Sequence, residues 1–281
     1  MRNNLDRMGV EPVEVAAQSP APAFQQANLM DFVVPTSYVE LPSEGKFYPT
    51  NHPLHGQTHI EIKHMTAKEE DILTSQSLLK KGVALEKFIA SVVLDKSIRP
   101  ETILTCDRSA IMIASRITGY GNIYSTKINC PSCSKQAQIE TDLELIEPKH
   151  SIDVDGVVKT PNNTFIIATP SGFSFEVRLL NGADERVMSE DSETKKRKNI
   201  PESLNTDLLK MITVSINSIT DKEVVQKVIN NLLPAKDSRF IKQVYNVIVP
   251  NVQIKHDFIC SSCDFTQELE VPLTTDFFWP K

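Results

Sequence analysis

Apolar residues recur along this chain with two periods, and each period predicts an element. In "THIEIKHM", Ile60 and Ile62 alternate with His59, Glu61 and Lys63, the pattern of a half-buried strand. Leu85, Phe88, Ile89, Val92 and Val93 instead fall at i, i+3, i+4, i+7 and i+8, one face of a helix. Val224, Val225, Val228, Ile229, Leu232 and Leu233 repeat that helical pattern until Pro234 stops it. Phe240, Ile241, Val244, Tyr245 and Ile248 start it again. "TFIIA" and "FSFEVRL" flank "TPSG", which predicts a hairpin.

Punctuation residues set the boundaries. Thr66 with Glu69, and Thr220 with Glu223, have the spacing of capping boxes. Gly82 after Lys80 and Lys81 reads as a helix stop, and a further helix is expected after Pro100, ending near Gly119. Pro42 to Gly45 reads as a turn.

These signals predict an α+β protein: two helical regions around a β region built from two CxxC zinc knuckles, with a disordered N-terminal tail. The expected segments are a disordered tail at 1–28, rich in Pro, Ala, Gln and Asn, and an extended arm with short strands at 29–65. A helical region follows at 66–119, then a β region with the first knuckle at 120–183. A second helical region is expected at 184–249, and a β region with the second knuckle and an aromatic C-terminus at 250–281.

Charge narrows the function. The chain has 281 residues and a net charge of −6, which argues against broad contact with a phosphate backbone and makes nucleic acid an unexpected partner. The one basic run, "ETKKRKN" at 193–199, follows several acidic residues and reads as a solvated loop. No apolar run has the length of a membrane span, and the first 26 residues lack a signal peptide's apolar core. A protein made in a reducing cytoplasm is expected. No P-loop, GxGxxG, HExxH or GxSxG pattern occurs, so the sequence points to no catalysis.

The cysteines carry the candidate chemistry. Cys130 and Cys133 in "NCPSCS" align with Cys260 and Cys263 in "FICSSCDF" after a shift of 130 positions. Ile128 then falls on Phe258, Ile139 on Leu269 and Leu143 on Leu273, so each copy reads strand, CxxC turn, strand. Two such turns supply the four thiolates of a closed, structural zinc site with no position left for water. A redox pair and four unmetallated cysteines are the competing readings. A redox CxxC is usually followed by a helix, whereas "SKQAQIETDLE" alternates. The long sequence between the two pairs counts against zinc, at about 4 kcal/mol of loop closure. Structural zinc contributes on the order of 10–16 kcal/mol in finger peptides.

Other candidates are weaker. Cys106 reads as a small buried residue in a helix. His52, His55, His59 and His64 lie close in sequence, but His59 and His64 fall on opposite faces of a strand. Phe277, Phe278 and Trp279 either dock on this chain's own core or anchor a neighbouring subunit.

Four stretches carry a family resemblance: "ELPSEGKFYP" at 40–49, "MTAKEEDIL" at 65–73, "SRITGYGNIYSTKINCPSC" at 115–133 and "LNGADE" at 180–185. With them the chain resembles the T4-type baseplate hub family of contractile-tailed phages, over roughly residues 30–281. The resemblance implies a virion or assembly protein, built in the host cytoplasm, with other hub and wedge proteins as partners. It leaves open whether the protein stays in the tail baseplate, and it supplies no catalytic residue. The zinc expectation rests on the cysteines alone. A zinc-ribbon protein that binds nucleic acid or regulates transcription is the alternative.

Overall fold

The computed structural model describes residues 33–201, 203–271 and 275–278. The chain divides into two units, Met1–Val34 and Pro35–Lys281, and every element below belongs to the second. The expected tail at 1–28 lies outside the described residues.

Helices and strands mix as the α+β class requires. β1 (Thr36–Glu40) pairs antiparallel with β2 (His59–Lys63), and Ile60 and Ile62 point inward. α1 (Ala67–Thr74), α2 (Gln76–Lys80) and α3 (Ala84–Val92) follow, the last burying Phe88, Ile89 and Val92. α4 (Thr105–Tyr120) leads into a hairpin of β3 (Ile123–Asn129) and β4 (Gln136–Asp142). After β5 (Pro148–Lys149) comes an antiparallel sheet of β6 (Val157–Lys159), β7 (Phe165–Ala168), β8 (Ser174–Val177) and β9 (Thr213–Ile216), in that order. Between β8 and β9 the chain forms α5 (Gly182–Arg197) and α6 (Leu204–Ile212). α7 (Lys222–Lys227), α8 (Ala235–Ile248) and β10 (Asn251–Val252) complete the excursion. β11 (Lys255–Ile259) and β12 (Thr266–Glu270) form a last hairpin, followed by a 3-10 turn at Thr275–Phe278.

Two hydrophobic cores result. The larger joins β1, β2, α3, the four-stranded sheet and α8; the smaller lies under the two CxxC hairpins. α4 belongs to both: Cys106, Ala110 and Ile111 enter the first, and Ile113 enters the second. A helix wrapped on so many sides should be apolar throughout, yet α4 buries Asp107, Arg108 and Arg116. A buried charge is tolerated only with partners, and each of these three fixes a different segment.

Asp107 holds the loop between β1 and β2. Its carboxylate accepts from the Ser43 backbone N–H (3.0 Å), the Ser43 hydroxyl (2.6 Å) and the Tyr48 hydroxyl (2.7 Å). Tyr48 Oη in turn accepts from the Leu104 N–H at 3.0 Å. The Pro-Ser-Glu-Gly turn is therefore an anchor set inside the protein. Gly45 has φ +68°, and a Cβ there would stand 2.4 Å from the Gln57 nitrogen, so only glycine fits.

Arg108 donates to the Pro100 carbonyl and to Glu185, both at 2.9 Å, and lies across the start of α5. A Cβ on Gly182 would meet its Nη1 at 2.3 Å, which explains the glycine of "LNGADE" by space alone. Asn181 and Asp184 of the same stretch cap α5 reciprocally, and Asp184 grips Arg178 with both oxygens at 2.7 and 2.8 Å.

Glu69 is a second buried carboxylate with the opposite balance. Burial raises the Asp107 carboxyl, and hydrogen bonds from Ser43 and Tyr48 do not fully offset it. Burial also pushes Glu69 up, but the Lys63 ammonium at 2.6 Å, with Ser91 and Thr66, holds it down at about 2. Neutral donors stabilise a buried carboxylate less than an ammonium does.

Two local expectations shift. α7 is capped by Asp221, whose carboxylate accepts from the Glu223 and Val224 N–H groups, so Asp221 displaces the expected Thr220. The apolar face from Val224 to Leu233 is also interrupted. A π turn at Val228–Leu232 inserts an extra residue and rotates the stripe. Val225 and Ile229 stay buried, while Leu232 is 66% exposed.

Asp107→Ala leaves donors on Ser43 and Tyr48 unpartnered and should cost about 2–4 kcal/mol in chemical denaturation. Glu69 is depressed from 4.5 to about 2, so its contribution is full above pH 4.5 and fades as the pH falls through 2. The wild-type chain should lose on the order of 3 kcal/mol from this group across that window. In Glu69→Gln that component of the pH slope should vanish.

Candidate metal centre

Each CxxC sits at the tip of a hairpin, and the two tips are built alike. In the first, Tyr124, Thr126 and Ile128 face inward from β3, and the register closes at Asn129 with Gln136. The Cys130 N–H then donates to the Lys135 carbonyl (2.9 Å), and the Ser134 N–H donates to the Cys130 carbonyl (2.8 Å). In the second, Cys260 N–H donates to the Phe265 carbonyl (2.9 Å) and Asp264 N–H to the Cys260 carbonyl (3.0 Å). Ser134 and Asp264, at matching positions, both take positive φ, 58° and 53°. The repeat read from the sequence is thus a repeat of backbone geometry.

The tips converge. One ligand atom from each of Cys130, Cys133, Cys260 and Cys263 lies within 4.8 Å of all the others. The pairing is crosswise: Cys130 to Cys263 and Cys133 to Cys260, each at 3.7 Å between sulfurs. Four sulfurs bound at ~2.3 Å to one tetrahedral zinc stand ~3.8 Å apart. The donor set and the spacing therefore fit zinc. Cys130 and Cys260 are buried, Cys133 is half-buried and Cys263 is exposed, so the site lies at the edge of the second core.

Backbone amides favour thiolate at the centre. The Ser262 N–H is the largest influence on Cys260 and, against burial, brings its thiol down to about 7. At Cys133 the Lys135 N–H acts downward too, but burial and hydrogen bonds with the other three cysteines leave the thiol raised to about 11.

The distance in sequence is bridged by the fold. Cys133 and Cys260 are 127 positions apart. But β5 pairs with β10, Lys149 opposite Asn251 and Pro148 opposite Val252, so the chain departs from and returns to one place beside the centre. The shorter effective loop lowers the closure cost by roughly 1 kcal/mol. Thr141 and His256 also meet across the hairpins at 3.2 Å.

The remaining candidates go elsewhere. Cys106 is buried in the first core, its Sγ 3.6 Å from the Asp107 carboxylate, and burial pushes its thiol well up. The histidines do not converge: His52 stacks on Tyr48 and contacts Thr102, His55 meets the Tyr48 carbonyl, and His64 meets Ser37. Among the described residues, the four cysteines are the one metal-sized cluster of His, Cys, Asp and Glu. Phe277 lies in the chain's own second core, 2% exposed and edge-on to Tyr124 at 5.0 Å. Phe278 is half-buried against Phe88, and Trp279 lies outside the described residues.

The supporting residue that sequence reading passed over is Arg116. Its guanidinium, 1% exposed, donates to the carbonyls of Phe277 (2.7 Å), Gly121 (2.7 Å) and Ile123 (3.2 Å). It ties the 3-10 turn to the root of the first hairpin. An arginine in a largely apolar helical stretch, "IMIASRI" at 111–117, was the available signal.

Fold and site define an α+β protein whose second core is closed by two convergent cysteine hairpins. The chain belongs to the T4 bacteriophage base plate protein family, whose sequence model matches residues 34–279. Neither the curated proteins nor the solved structures compared with it give a match. No helix among the described residues is long and apolar enough to cross a membrane.

Phe277→Ala should destabilise the protein by about 3–5 kcal/mol, measured by denaturant unfolding. Hydrogen exchange should show the loss concentrated in the two hairpins and spare the four-stranded sheet.

Proposed function

We propose that this chain is a structural or assembly component of the baseplate hub of a contractile-tailed phage. It acts through protein contacts, with a structural zinc ion on Cys130, Cys133, Cys260 and Cys263. The family match over residues 34–279 carries the baseplate role. The 3.7 Å sulfur spacing supports zinc. Its partners are other hub and wedge proteins, met in the host cytoplasm during assembly and in the tail baseplate afterwards. Four thiolates leave no coordination position for water or substrate, so the ion would cross-link and not catalyse.

The four-cysteine cluster also suits a zinc-ribbon nucleic-acid-binding protein. The net charge of −6 weighs against that second reading. Salt-sensitive binding of DNA or RNA in a gel-shift titration would favour it over the hub role.

Deletion of the gene should block complete, infectious tails, and complete tails from the deletion would overturn the baseplate role. Elemental analysis should find about one zinc per chain. A chelator should make four further thiols titratable, and Cys260→Ser should abolish both signals. A metal-free protein with a low-pKa, reactive pair would instead make the cysteines a redox couple.

A further inference from the structure

The sheet edge between β9 and α7 opens into a groove of ≈ 530 Å³. Three helices each present one stripe to it. α5 contributes Met188, Asp191 and Lys195, at i, i+3 and i+7. α6 contributes Leu204, Asp207 and Met211 at the same spacing, and α7 contributes Lys222 and Val225. Each stripe sets apolar residues beside charged ones: Met188 with Asp191 and Lys195, Leu204 and Met211 with Asp207, Val225 with Lys222.

Exposure marks the same region. Leu204, which lines the groove, is 60% exposed.

Charge selects the occupant. Arg178 is neutralised by Asp184, and Lys195 is held by Asp207 and Ser203. Lys210 shares that same Asp207 only at 4.0 Å, and Lys222 has no carboxylate partner among the described residues. Asp191 is the one further carboxylate in the lining. The groove thus shows apolar lining residues Met188, Met211 and Val225 with one loosely paired lysine, Lys210, and one without a carboxylate partner among the described residues, Lys222. An amphipathic helix that buries aliphatic residues and sets carboxylates against the rim meets both demands.

We infer that this groove docks a short acidic amphipathic helix of another protein against residues of α5, α6 and α7. The inference rests on the reading of the chain as a baseplate protein for the source of that partner. A deletion phage with normal tails would sink that reading and leave the binding result below standing.

The test uses the full chain and two labelled synthetic helices in fluorescence polarisation. One carries leucines at i, i+3, i+4 and i+7 with glutamate flanks; its twin has lysine flanks. The acidic peptide should bind, and the twin should bind about tenfold or more weakly. The double variant Lys210→Glu, Lys222→Glu should reverse that order, and gaining the twin shows that the variant is folded. Equal binding of both peptides, no binding, or binding unmoved by the double variant would overturn the inference. So would a single-stranded oligonucleotide that binds the groove lysines more tightly than the acidic peptide. Concentration-dependent dimers abolished by the double variant would assign the groove to a second copy of this chain and overturn it too.

Discussion

A helix buried on most of its circumference cannot leave a charge unanswered, and α4 carries three. That constraint organises the protein. Asp107 must collect Ser43 and Tyr48, Arg108 must collect Pro100 and Glu185, and Arg116 must collect Gly121, Ile123 and Phe277. Segments far apart in sequence are thereby brought to one axis. The hydrophobic effect supplies most of the driving force but is non-directional. The charges on α4 specify which loop meets which face, because a misplaced segment would strand a buried ion.

The second core shows the same logic with sulfur. Its apolar side chains are few, and small cores commonly need a staple. Two hairpins of one design meet tip to tip, and the excursion between them begins and ends at the β5–β10 pair. Arg116 and Phe277 close the far side of this core, opposite in character to the cysteines but equivalent in effect. This end is held by short cross-connections and not by a large buried area.

Much of this was legible in the chain. The alternation of Ile60 and Ile62, the face of α3, the "TPSG" hairpin and the stripe Ile241, Tyr245, Ile248 all appear where their periods place them. The cysteine repeat was legible too, because matching apolar positions, Ile128 with Phe258 and Ile139 with Leu269, flank each CxxC at the same spacing. What escaped was what tertiary contact decides. Asp221 caps α7 where Thr220 was expected, since both residues can cap and only the packed helix start chooses. The π turn is silent in the apolar pattern, which reads as one unbroken helix until Leu232 is found facing out. The two-residue strands β5 and β10 have no periodicity to read. The charges on α4 were visible, but Ser43, Tyr48, Glu185 and Phe277 lie far away in sequence and no local rule names them.

The division of the second core between two stretches of chain also sets an order in time. Ile113, Tyr124, Ile128, Cys130 and Leu143 are synthesised well before Ile254, Phe258, Cys260, Val271 and Phe277. Translation proceeds at roughly 5–20 residues per second, so the first hairpin waits several seconds with its apolar face uncovered. The second core is consequently a late event of biosynthesis, and a chain interrupted anywhere in the excursion presents a half-built core to its surroundings. Closure of the first cysteine hairpin on its partner therefore waits for residues 255–270 to be made.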